Sequence, residues 1–124
     1  MTKYQFTITV PASGGSNRVN VAAAAIAAGA VIQGYSPLYS ASYLPASKLF
    51  FQMAAGDSGL GFVGGPLVDQ AGTNSDFQLT SAAAAPGGST SDESHTDSDL
   101  LNLGQFYLHG TVPVDVVNVV YHQE

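Results

Sequence analysis

Tyr4-Gln5-Phe6-Thr7-Ile8-Thr9-Val10 alternates apolar and polar side chains without a break, the period-two pattern of a strand with one buried face. Pro11 and the turn-forming run Ser13-Gly14-Gly15-Ser16 end it. Arg18-Val19-Asn20-Val21 repeats the alternation over a shorter stretch, and Lys48-Leu49-Phe50-Phe51-Gln52-Met53 is a third strand candidate. Gly56-Asp57-Ser58-Gly59 is turn chemistry leading into Leu60-Gly61-Phe62-Val63, so these two runs read as a hairpin. Ser75-Asp76-Phe77-Gln78-Leu79-Thr80 alternates again. Gln105 to His109 and Val114 to Tyr121 are β-branched or aromatic runs around Gly110-Thr111-Val112-Pro113, a second predicted hairpin.

Two stretches break the period. Ala22 to Ala30 combines the best helix former with Gly29 and Val/Ile flanks, which leaves a short helix, an extended segment or a loop open. Ala82 to Ser98 is low in complexity and acidic, and turn formers with like charges predict a long exposed loop there. No repeat emerges at periods of 20 to 50 residues. The pattern as a whole predicts an all-β chain, a small antiparallel β-sandwich or jelly-roll-like barrel. It would have seven or eight short strands and long loops, in a single domain over residues 1–124 with a flexible acidic loop near 82–99.

Composition narrows the function. Val, Ile, Leu and Phe supply 31 of the 124 residues, above the level of about 20% below which a chain stays disordered. Charged residues make up only 10%, against about 25% in an average soluble domain. So neutral a surface suits a protein packed in an assembly better than a free enzyme. A net charge of −6 with three basic residues argues against nucleic-acid backbone binding, which needs clustered Lys and Arg. The absence of cysteine removes disulfides and thiolate metal sites. MTKYQFTITV has no apolar core, which predicts no secretory leader. The longest apolar run, Val21 to Ile32, is too short for a membrane span of about 20 residues.

The charges are sorted along the chain. Lys3, Arg18 and Lys48 precede position 57, and all nine acids, Asp57 through Glu124, lie at or after it. With so few bases chance is one reading; opposed patches that orient neighbouring subunits are the other.

Motifs with chemical associations do not assemble into a site. Gly56-Asp57-Ser58-Gly59 matches the string around the nucleophile of trypsin-like proteases. That chemistry needs a histidine base and an acid orienting it, and in that family both precede the serine. Here His95, His109 and His122 all follow Ser58, and no acid precedes Asp57. Gly59-Leu60-Gly61-Phe62-Val63-Gly64 fits G-x-G-x-x-G, but Gly65-Pro66 follows where a helix would have to start. Glycines within a strand more readily allow close backbone approach or a bulge. Asp92-Glu93-Ser94-His95-Thr96-Asp97-Ser98-Asp99 has oxygen ligands without the spacing or turn glycine of a calcium loop. His109 and His122 have no partner at ligand spacing. The sequence therefore predicts no catalytic residues, no metal and no cofactor.

Tyr35, Tyr39 and Tyr43 recur every fourth residue. They are either core and loop anchors or an exposed aromatic strip that meets a partner, tyrosine being enriched at interfaces. These three are the candidate partner-interface residues.

The second half carries a resemblance. Leu60-Gly61-Phe62-Val63-Gly64-Gly65 is a glycine-flanked strand, followed downstream by Phe106-Tyr107-Leu108-His109-Gly110-Thr111 and the terminal run Asp115-Val116-Val117-Asn118-Val119-Val120-Tyr121. Over roughly residues 48–121 this cadence resembles small capsid cement or decoration proteins, and related appendage modules, of tailed bacteriophages. The acidic insertion at 82–98 departs from that compact form. The resemblance implies a non-enzymatic β-sandwich or jelly-roll subunit that forms a homodimer or homotrimer. Such a subunit would bind the major capsid protein on the capsid exterior of a virion assembled in the host cytoplasm. It offers no catalytic residues and implies neither nucleic-acid nor membrane binding. The alternative is a tail-tip or adhesin-type module that binds a glycan or receptor. Six tyrosines keep that open, and the lack of tryptophan weighs against it.

Overall fold

The unbroken alternation at the start forms β1 (Thr2–Thr9) in the computed structural model, which describes residues 2–14, 17–29, 39–81, 91–95 and 101–123. β2 (Val19–Asn20) runs straight into helix α1 (Val21–Ala27), followed by β3 (Pro45–Ala46), β4 (Lys48–Met53), β5 (Leu60–Gly64) and β6 (Ser75–Thr80). β7 (Ser91–His95), β8 (Leu101–Asn102), a 3-10 turn at Leu103–Gln105, β9 (Tyr107–Gly110) and β10 (Val116–Gln123) complete the order.

Two four-stranded antiparallel sheets result. Sheet A has the order β1-β10-β4-β7 and sheet B the order β2-β9-β5-β6, with β3–β8 a small separate ladder. The pairings β1–β10, β2–β9, β4–β7 and β5–β6 are nested, first strand with last and inward to the middle. The chain is thus one long hairpin with its tip at β5–β6, rolled until β10 meets β4 and β9 meets β5. That is the strand order of an eight-stranded jelly roll. The predicted all-β sandwich holds; the two sheets do not close into a barrel.

Both predicted hairpins are corrected. β4 and β5 lie in different sheets, as do β9 and β10. Alternation reports which residues face inward, and strands on opposite sheets show the same alternation as strands side by side. The connection at residues 54–59 carries the chain across the core instead of reversing it within a sheet.

The two stretches that broke the period are also resolved in part. Val21–Ala27 is helical because Asn20 caps it, its Oδ1 accepting from Ala23 N–H at 2.8 Å. Val21, Ala22 and Ala25 are buried on the face turned to the core. Within the segment read as an acidic loop, Ser91–His95 instead form β7 on the edge of sheet A. Ser-Asp-Glu-Ser-His has no apolar face to read, and the pairing is carried by backbone bonds to β4. The rest of that segment lies outside the described residues.

The core fills the space between the sheets. Phe6 and Ile8 of β1, Val117, Val119 and Tyr121 of β10, and Leu49, Phe51 and Met53 of β4 face inward from sheet A. Val63, Leu79 and Leu108 meet them from sheet B, and the Phe51 and Phe77 rings touch across the gap at 5.8 Å. Tyr121 stacks on Tyr4 at 5.1 Å and takes the edge of Phe6 at 6.1 Å. Gly61 faces the core, where a Cβ would lie 2.9 Å from Met53 Sδ. β5 also shifts register between Val63 and Gly64. Close approach and a bulge are therefore what the G-x-G-x-x-G glycines provide, and no helix follows them.

Candidate functional site

The residues with chemical potential are engaged with backbone. Asp57 is buried, its Oδ2 accepting from Ala54 N–H at 2.9 Å and its Oδ1 from Val116 N–H at 2.7 Å. Asp115, also buried, accepts from Gly59 N–H at 2.9 Å and from Ser58 N–H at 3.3 Å. His109 is wholly buried; its Nδ1 accepts from Gly110 N–H at 2.8 Å and its Nε2 lies 2.8 Å from Gly14 O. With Nδ1 accepting, the proton sits on Nε2 and donates to that carbonyl. His122 lies near the far end of β10 from Asp115 and Ser58, about 20 Å away at strand rise. The side chain of His95 lies outside the described residues. Ser58 therefore has the Asp115 carboxylate on its backbone N–H and no histidine hydrogen-bonded to it among the described residues. Nor do three His, Asp or Glu side chains gather there as metal ligands.

The tyrosines separate. Tyr35 lies outside the described residues. Tyr39 and Tyr43 come together with ring centroids 6.3 Å apart, across a tight turn in which Ser40 and Tyr43 exchange backbone bonds. Tyr39 packs against the core, whereas Tyr43 is 44% exposed. Asn102 holds the turn in place, its Oδ1 accepting from Leu44 N–H and its Nδ2 donating to Ser42 O. One of the two described tyrosines is thus an anchor and the other is presented at the surface.

The two outer faces of the sandwich differ. Sheet B is covered by residues 11–14, 17–18 and 65–74, which are bonded to each other. Gly14 N–H donates to Gln70 Oε1, Gln70 Nε2 to Ser13 Oγ, and Arg18 Nε to Val68 O. Asp69 closes the second loop by accepting from Ala71 and Thr73 N–H. Gly72, at φ +86°, lets that loop lie on the Phe62 ring, where a Cβ would stand 2.7 Å away. Phe62 and His109 are buried beneath these loops although they point away from the core.

On the outer face of sheet A, Lys3, Gln5, Thr7, Thr9 and Gln52 are exposed. Directly paired residues share a face, so the register sets out rows across β1, β10 and β4: Lys3-His122-Lys48, then Gln5-Val120-Phe50, then Thr7-Asn118-Gln52. Val116 extends the apolar part beside Thr9. Phe50, Val116 and Val120 are half-buried, and no acid stands on this face in the three strands. Both lysines of the chain flank His122, whose ring meets the Phe50 edge at 6.0 Å. Partial burial, then Lys48 and Lys3, hold the His122 imidazole below its ordinary range.

Comparison of the chain with protein-family models, curated proteins and solved structures gives no match. No helix among the described residues is long and apolar enough to cross a membrane.

The row of bases and the Phe50–Val120 patch were individually visible in sequence but not as a site. Lys3, Lys48 and His122 are far apart in the chain, and only strand pairing aligns them. The even-numbered positions of β10 could have been flagged as its second face; pairing order could not.

Proposed function

We propose that this chain is a non-enzymatic structural subunit of a virus particle, a capsid cement or decoration protein of a tailed bacteriophage. It would bind the major capsid protein across capsomer junctions on the shell exterior. The observation that carries this reading is the outer face of sheet A, where Lys3, Gln5, Thr7, Thr9 and Gln52 are exposed. It presents half-buried Phe50, Val116 and Val120 among amides and hydroxyls, bounded at one end by Lys3, His122 and Lys48. A patch with an apolar centre and a polar rim has the make-up of a protein–protein contact surface. Contacts too weak to hold singly become tight when a symmetric oligomer makes several at once. The basic row would set the orientation of docking, because charge complementarity fixes register and partner choice more than affinity. The engagement of Asp57, Asp115 and His109 with backbone supports a structural reading over a catalytic one. The jelly-roll strand order is shared by viral shell and lectin domains, so it supports the reading only as analogy.

Cosedimentation with phage shells assembled without this chain tests the proposal. Wild-type protein binds, and Phe50→Glu with Val120→Lys loses binding while keeping its far-UV spectrum. A chain that ignores shells but binds on a glycan array belongs to the receptor-binding alternative.

A further inference from the structure

We propose that the open edge of β1 is a homodimer interface. Two copies add their β1 strands antiparallel across a two-fold axis, joining their A sheets into one continuous sheet.

Backbone direction makes the edge available. Val10 N–H donates to Asp115 O at 2.7 Å, and Val10 O accepts from Val114 N–H at 3.1 Å. The even-numbered residues of β1 therefore turn their backbone groups toward β10. On β10 the even-numbered residues face the other way, since Val116 O accepts from Ala54 N–H and His122 O from Ser47 N–H. The register Tyr4–Tyr121, Phe6–Val119, Ile8–Val117 agrees with both. Lys3, Gln5, Thr7 and Thr9 are left with their N–H and C=O groups pointing off the sheet, and no described strand pairs with them. Helix α1 lies beside β1, sends Val21, Ala22 and Ala25 into the core, and makes no backbone bond to that edge.

The other three edges of sheets A and B carry the features that block strand addition. β2 is two residues long. β6 carries Asp76 and follows a register shift at Val63/Gly64. β7 contains Asp92 and Glu93 in succession. β1 has eight residues, no proline, no acid, no bulge and a single charge, Lys3.

A second copy fits this edge better than an unrelated strand because the edge is complementary to itself. A two-fold axis between the two Phe6 residues pairs Lys3 with Thr9 and Gln5 with Thr7 of the mate. All four outward-facing residues then form hydrogen-bonded pairs, giving about eight bonds. The two Lys3 charges sit at opposite ends, about 20 Å apart along the strand. In a chain of net charge −6, whose acids all lie at position 57 or beyond, this acid-free strand is also where two copies approach with little repulsion.

Sedimentation velocity at micromolar concentration should give twice 12.7 kDa. Thr7→Pro removes an N–H that β10 does not use, so it should give a monomer with an unchanged far-UV spectrum. Gln5→Lys with Thr7→Lys places lysines opposite each other and should weaken association about tenfold or more. This pair decides the question if the proline variant fails to fold. In a chain without cysteine, oxidised Gln5→Cys/Thr7→Cys should yield dimers linked 5 to 7. A monomeric wild type, a double-lysine variant as dimeric as wild type, or links dominated by 5 to 5 would each overturn the proposal. The shell-docking variants Phe50→Glu and Val120→Lys lie off this edge. A dimer that binds no shell sinks only the shell reading, and a shell-binding monomer sinks only this one.

Discussion

Asp57 and Asp115 are reciprocal caps. Asp57, in the connection from β4 to β5, accepts the N–H of Val116 at the start of β10, and Asp115, just before β10, accepts the N–H groups of Ser58 and Gly59 in that connection. Each carboxylate serves the backbone next to the other, so the crossing from sheet A to sheet B is fastened from both sides. Charged acceptors on buried N–H groups are worth more than neutral ones.

Asp57→Asn and Asp115→Asn should each therefore cost about 2 kcal/mol, read as a lower urea midpoint with an unchanged slope. The double variant should lose less than the sum, because either loss loosens the same junction. Strict additivity would mean that the two caps act independently.

Val114 holds a left-handed backbone, φ +65°, while its side chain is 76% exposed. A β-branched residue pays about 1–3 kcal/mol there. Glycine removes that strain, against a loss of about 0.5–1 kcal/mol from greater freedom in the unfolded chain. The strain is the larger effect, and little apolar burial is lost. Val114→Gly should raise Tm by about 4 °C; a lower Tm would show that the side chain stabilises more than its exposure suggests.

His122 links the outer face to pH. Burial and the two lysines favour its neutral form in the folded state. The unfolded chain takes up the proton near pH 6.5, so this contribution is full above that pH and is lost as pH falls below it. In Lys48→Gln the imidazole should titrate at higher pH, as followed by the proton shifts of its ring, and the acid-side loss of Tm should shrink. An unmoved titration would mean that Lys48 has no part in it.

How far the sequence could be read depends on which interaction made each element. β1, β4 and β6 were legible because alternation is local and one face of each is buried. β7 was not, because Asp92 and Glu93 leave no apolar stripe and its pairing is wholly with β4. The two misread hairpins share one cause: short turns such as 56–59 look the same whether a chain reverses within a sheet or crosses between sheets. Of the candidate interface, Tyr43 is exposed, while Tyr39 is partly buried and packs against the core. The Lys3-His122-Lys48 row and the free edge of β1 depend on pairing first strand with last, which no local pattern encodes. His109 had no signal at all, since its burial comes from loops laid over the outer face of sheet B.

Tyr121 predicts behaviour in alkali. Its phenol is buried on the inner face of sheet A against Tyr4 and Phe6, and burial pushes its ionisation well above the ordinary tyrosine value. In the unfolded chain the group ionises near pH 10. Its folded value is raised, so its contribution is fully present below that pH and is lost as pH climbs toward the folded value. Absorbance at 295 nm should show a last tyrosine that titrates only together with loss of the folded far-UV signal. Tyr121→Phe keeps the ring packing and removes the ionisable group, so its Tm should fall less steeply than wild type above pH 10. Equal slopes for the two proteins would place the alkaline weakness elsewhere in the sandwich.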